Sequence, residues 1–232
     1  MNYIIWNDTD SRTIPGLLIS EFPAITKPKI RTQITEIEGK DGDIIDKIGY
    51  QSYEKIIKIG LLGNFDINKI IKYFTGNGHL ILSSEPDKYY ICEILESIDY
   101  ERLIKFRTAN VKFHTQPFKY LKDEESIDVT ITNQTSITVT NQGLEPSKPV
   151  ITLYGNDEVS LDINSLTVFQ VVIDDEYITV DSNLEDAYKG SITNLKNRQM
   201  TGIFPVLNPG ENTITWTGIL TRIVIEPKSR WI

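Results

Sequence analysis

The sequence predicts a mainly β chain of two domains. The first is an N-terminal α+β domain, a sandwich or split-barrel-like sheet with one short helix, and the second is a C-terminal β-sandwich of jelly-roll type. Three observations predict this. Most segments alternate apolar with polar residues and are rich in Ile, Val, Thr and Tyr, which suits half-buried strands. A single segment carries helical spacing. The second half consists of short strand patterns separated by turn residues, with no convincing helix among them.

The 232 residues are enough for two cores at the usual ~150 residues per domain. A first strand fits Tyr3 to Trp6, and a longer pair fits Ile30 to Ile37 and Tyr53 to Leu61. Gly39, Lys40, Asp41 and Gly42 mark a turn between that pair. The stretch on to Tyr50 is too long for a tight hairpin, so a wide polar loop is expected to project there. The helix fits Asp66 to Phe74, where Ile67, Ile70, Ile71 and Phe74 recur at i, i+3, i+4 and i+7. Asp66 can cap its first turn, and Gly76 and Gly78 can end it. Strands resume at His79 to Leu82, Tyr89 to Glu96 and Leu103 to Phe113, and Pro117 is expected to break the ladder.

The charged run Lys122 to Ser126 is a domain boundary, giving domains 1–122 and 123–232. The charge balance changes at the same place. Residues 1–122 carry 17 Lys and Arg against 16 Asp and Glu, and residues 123–232 carry 7 against 16. Neither half offers the basic patch of a nucleic-acid binder, so sequence-specific DNA binding is not expected. Beyond the boundary, strands fit Ile127 to Ile131, Ser136 to Thr140, Val150 to Tyr154, Val159 to Ile163, Thr167 to Ile173 and Tyr177 to Val180. Gly202 to Phe204, Thr213 to Trp216 and Leu220 to Glu226 complete the set, with Gly155, Asn156 and Asn208 to Gly210 among the turn residues.

No apolar run reaches the ~18 residues of a membrane span, and the first residues lack the basic stretch of a secretory signal. The chain is therefore expected to be made and assembled in a cytoplasm. The familiar zinc, phosphate-loop and nucleophile-elbow motifs are absent from the sequence, so it reads as non-enzymatic and needing no cofactor. Cys92 lies in a strand-like run with nothing to activate its thiol. His114 lies on strand alternation, and His79 follows the helix stop; both read as structural. Asp174, Asp175 and Glu176 could be a carboxylate pair for glycoside hydrolysis but fit a solvated turn better. Asp181, Asn183, Glu185 and Asp186 resemble the start of a calcium loop, yet lack its glycine and closing glutamate. Trp216 and Trp231 are candidate sugar-stacking platforms, though Trp216 alternates with Ile214 as a core residue would.

Three stretches carry a family resemblance: Asn110 to Phe118 (NVKFHTQPF), Leu207 to Trp216 (LNPGENTITW) with its β run to Trp231, and Asn141-Gln142-Gly143 leading to Pro149 and Gly155. In this order, with the wide Gly-Asp-Gly loop and one short helix, they resemble the distal tail proteins of siphophages. The resemblance implies a virion protein at the tip of a long non-contractile tail, in a ring, a hexamer, whose N-terminal domains surround a channel and whose galectin-like C-terminal sandwiches lie outside. It implies the major tail tube protein and the tail-associated hub protein of the baseplate as partners, with a receptor-binding protein in some phages. Closing a ring needs head-to-tail contacts, which the extended strands can supply, so Ile34, Ile37, Tyr53 and Ile57 are the expected ring contacts. The competing reading is a carbohydrate-binding protein whose sandwich contacts host cell-wall sugar through Trp216 and Trp231.

Overall fold

The computed structural model describes residues 2–232; Met1, with which the sequence-drawn first domain begins, lies outside the described residues. The chain is mainly β and divides into two compact units, residues 1–122 with Ile232, and Asp123–Trp231.

The first unit is built of β1 (Ile4–Trp6), β2 (Thr9–Asp10), β3 (Leu17–Glu21), β4 (Ile30–Glu36), β5 (Asp43–Tyr50), β6 (Tyr53–Leu61), α1 (Ile67–Tyr73), β7 (Asn77–Leu82), β8 (Glu85–Glu93), α2 (Tyr100–Phe106) and β9 (Thr108–Leu121). Its main sheet is antiparallel in the order β2-β1-β7-β8-β9-β6-β3, while β4 and β5 form a separate two-stranded ribbon. The period of two in β6 turns Ile57 and Ile59 into the core, both fully buried. Helix α1 lays Ile70 and Tyr73 on that core, where Trp6 meets Phe113 edge-on at 5.2 Å. Asp66 caps α1 as expected, its carboxylate accepting from the backbone N–H groups of Asn68 and Lys69.

Three expectations need correction here. Ile30–Glu36 pairs not with Tyr53–Leu61 but with β5, in the register Ile34 to Ile45 and Glu36 to Asp43. The wide loop is in fact the second strand of a hairpin, and its tip is the Gly39–Gly42 turn, both glycines having φ of +80°. The strand expected from Leu103 begins only at Thr108. Residues before it form α2, capped by Asp99 and stopped by Arg107 in the left-handed conformation, φ +59°. Seven residues are too few for a helical period to stand out, and Ile104 and Phe106 are exposed. Pro117 does not end β9. It sits where the β8–β9 register shifts between Cys92–Thr115 and Tyr90–Lys119, a bulge that tolerates a residue with no N–H.

The second unit contains β10 (Ile127–Thr130), β11 (Ser136–Asn141), β12 (Val150–Ile163), β13 (Leu166–Ile173), β14 (Tyr177–Asp181), β15 (Asp186–Lys189), β16 (Ser191–Leu195), β17 (Met200–Gly202) and β18 (Gly210–Glu226). Strands β12 and β18 pair along most of their length and belong to both layers. The half holding Val150–Tyr154 and Arg222–Glu226 extends through β10, β14, β15 and β16, and the other half carries β11, β13 and β17. The curled sheet thus makes a sandwich around Leu153, Leu161, Phe169, Ile214 and Ile223. Gly155 and Asn156, expected as turn residues, instead lie with Gly218 at bulges where these two long strands bend. Gly218 has φ +99°, and a Cβ there would collide with the Glu158 carbonyl oxygen.

Candidate functional site

The feature of the first unit that its own folding does not explain is the β4–β5 ribbon. An isolated two-stranded hairpin is marginal in water, yet every residue from Arg31 to Ile48 is exposed. Ile34 and Ile45 face each other across the ribbon and are each 58% exposed, while Ile44 on its other face is 40% exposed. Ile37, at the tip turn, is 43% exposed, and Ile48 lies beside the bulge opposite Arg31 and Thr32. At the ribbon's base, Tyr50 packs edge-on against Phe118 at 5.4 Å, and the Gln51 N–H donates to the Lys29 carbonyl.

Beside the ribbon's entry segment lies an open groove of about 830 Å³. Phe22, Pro23, Ile56, Lys58, Asp99 and Arg102 are among the residues that line it. The same alternation that buries Ile57 exposes Ile56, 43% of which is open. Apolar surface uncovered on the ribbon is the composition of a contact surface.

Of the expected ring contacts, Ile34 and Ile37 are exposed on the ribbon and Tyr53 is half-buried at the start of β6. Ile57 is a correction. It points into the core with no accessible surface, so no neighbour can touch it without unfolding the sheet. Alternation along β6 would have shown this, since Ile57 shares its face with Ile59 and Ile56 does not. Trp216 is a correction too. It is only 7% exposed, packed in the sandwich core, and offers no ring face to a sugar. Trp231 is half-buried.

The other residues singled out in the sequence take structural positions. Cys92 is buried and its thiol lies 3.4 Å from the Thr115 hydroxyl; burial pushes the thiol pKa up to about 12, away from nucleophilic use. Beside it, Lys55 is buried because β6 alternation places it on the core side, its ammonium over the Tyr90 ring at 4.3 Å and the Tyr53 ring at 5.0 Å. Burial lowers its pKa. His114 lies across from Glu54 and Glu93, and His79 is exposed with its ring 4.3 Å from Tyr89. Asp175 pairs with Lys189 at 2.7 Å and Asp174 with Lys196 at 3.3 Å, tying the β13–β14 connection to the strands after it. Asp181 accepts from the N–H groups of Asn183 and Leu184, Glu185 pairs with Lys148, and Asp186 accepts from the Asn197 amide. These carboxylates are thereby committed to turns and pairs instead of converging.

No family model and no curated protein sequence matches the chain. Among solved structures, SPP1 Dit, described as a paradigm of the hub adsorption apparatus in phages infecting Gram-positive bacteria, aligns over 97% of this chain and 98% of its own. The TM-score is 0.68 at 18% identity. The chain has the fold of SPP1 Dit. The likeness spans both units, so the resemblance carried by the three sequence stretches holds at the level of the fold. Two structures of the phage p2 baseplate in its activated conformation, one with Sr and one with Ca, align over 97% of this chain. Both have TM-scores of 0.47, with identities of 12% and 10%.

Proposed function

We propose that the chain is a non-enzymatic structural adaptor of the virion, at the tip of a long non-contractile phage tail. It forms a ring, a hexamer, that links the tail tube to the tail-associated hub and receptor-binding apparatus. The observation that carries the reading is the end-to-end likeness to SPP1 Dit. The uncovered β4–β5 ribbon supports it independently, because a ring closes through head-to-tail contacts that need two unlike surfaces on each copy. The ribbon supplies one, through Ile34, Ile37 and Ile45, and the groove around Phe22 and Ile56 supplies the other. The first unit is nearly neutral, 17 cationic against 16 anionic side chains over residues 1–122, which suits a channel wall that lets DNA pass without holding its phosphates. Residues 1–122 are then the ring-forming domain and 123–232 a C-terminal β-sandwich, and assembly takes place in the host cytoplasm.

Light scattering coupled to size-exclusion chromatography tests this over a concentration series. The expected species has six times the 26.5 kDa mass of the chain, with a central opening visible by electron microscopy. A monomer at every concentration, unchanged on mixing with tube and hub proteins, refutes the ring.

A further inference from the structure

One face of the ribbon is acidic where the outer face of α2 is basic. The period of two along β4 and β5 puts Glu36 on the same face as Ile34, and Asp43 on the same face as Ile45. That face carries an apolar cross-strand pair, Ile34 opposite Ile45, and then an acidic one, Glu36 opposite Asp43. The second pair lies about 7 Å nearer the tip, at two residues of strand rise. Like charges directly opposite each other destabilise a strand pair, and this ribbon has no buried face to offset them. Glu38 and Asp41 at the tip add to the charge, and Lys40 is the only cation between Glu36 and Asp43.

Helix α2 presents the reverse. Leu103 is its one buried residue, while Arg102, Ile104, Lys105 and Phe106 are exposed, as is Arg107 just past its end. Phe106 is 66% open. Arg102 and Lys105, three residues apart, are neighbours on the helix surface and repel each other. Arg102 also lines the groove beside Phe22 and Ile56, so the cationic face continues that groove. Among the described residues, Glu36, Glu38, Asp41 and Asp43 have no ion pair, and neither do Arg102, Lys105 and Arg107.

We propose that the outer face of α2 receives the ribbon of a second copy of this chain, with Glu36 and Asp43 against Arg102 and Lys105 and the Ile34–Ile45 pair in the adjoining groove. The inference rests on the ring reading and deepens it by assigning the partner surface and the register of the contact. Charge complementarity selects the occupant. A nucleic acid would cover the cations but leave the acidic ribbon bare, whereas a second copy relieves both repulsions at one contact and fixes its register. Each copy has one ribbon and one α2 face, so the contact is head-to-tail and repeats around a ring.

Light scattering on charge-reversed full-length chains tests this. One variant carries Glu36→Lys with Asp43→Lys, and the other Arg102→Glu with Lys105→Glu. All four positions are exposed, so the fold is kept, which circular dichroism verifies. The first variant still has a like-charged pair across the ribbon, so its hairpin is no less stable than the parent's. Each variant alone is expected to dissociate at a concentration at least about tenfold higher than the parent chain. Mixed in equal amounts they are expected to reassemble, because each junction of an alternating, even-numbered ring then joins a reversed ribbon to a reversed helix or a native ribbon to a native helix. A chain carrying all four substitutions should assemble as the parent does. Parent-like assembly of either variant alone, or a mixture that stays dissociated while the parent forms rings, overturns this contact and leaves the ring reading standing. A parent chain that stays monomeric with tube and hub proteins present removes both.

Discussion

Replacing Ile34 by Lys together with Ile45 by Glu separates assembly from folding. The two residues are cross-strand partners on the ribbon, so the opposite charges attract across it and preserve the hairpin. Each isoleucine is 58% exposed in the single chain. Full burial of such a side chain is worth ~1.5–3 kcal/mol, so covering the exposed part by a neighbour contributes about 1–2 kcal/mol each. At every contact the pair then supplies about 2–4 kcal/mol, or roughly 30-fold to 700-fold in the association constant at 1.4 kcal/mol per tenfold. Surface substitutions of this kind change folding stability by only about 0.5 kcal/mol. Dilution series by light scattering should therefore show the variant dissociating at a concentration higher by at least the lower factor, while its urea midpoint stays that of the parent chain. Identical dissociation of parent and variant would refute the ribbon as a ring contact.

Ile57→Ala should behave in the opposite way, costing about 2–5 kcal/mol of folding stability through a core cavity, read as a lowered urea midpoint in both ring and monomer. Gly218→Ala forces a side chain into a left-handed position against the Glu158 carbonyl; an expected loss of about 1–3 kcal/mol should appear in thermal melts as a lower Tm. Alkaline pH should destabilise the first unit. The Cys92 thiol is raised from 9.0 to about 12 in the folded chain, so its contribution is fully present below pH 9 and is lost as pH rises towards 12, by about 1.4 kcal/mol per pH unit. Tyr53, raised by burial to about 12, acts in the same direction, whereas Lys55, lowered by burial, acts in the opposite one. Urea titrations from pH 8.5 to 11 should show a shallower decline in Cys92→Ala than in the parent chain; equal slopes would remove Cys92 from the account.

Much of the fold was legible because its signals are local. The helix at Asp66 carries both its cap and its apolar spacing within nine residues, and strands such as β10, β11, β13 and β14 carry alternation and turn residues within their own length. The errors share a cause in their turn. Segment β5 has no clear strand signal because Asp43, Asp46 and Lys47 dilute its apolar residues, as they can on a ribbon with no buried face to enforce alternation. Helix α2 resembles a strand in the sequence because it is about two turns long and exposes two of its apolar residues. The site suffered most. Ile57 shares with Ile34 only a place on a long strand, and its position on the β6 alternation separates it.

By itself the sequence determined the mainly β class and the capped helix and carried the resemblance in three short stretches, because each depends on residues close along the chain. Tertiary structure alone decided that Val150–Tyr154 and Val159–Ile163 are one strand bent at a bulge, and likewise Thr213–Trp216 and Leu220–Glu226. It alone decided which apolar side chains remain uncovered. A bend and a turn call for the same small residues, and an isoleucine in a core has the same local pattern as one on a bare ribbon. Only the strands paired beside it, from distant parts of the chain, determine whether water reaches it.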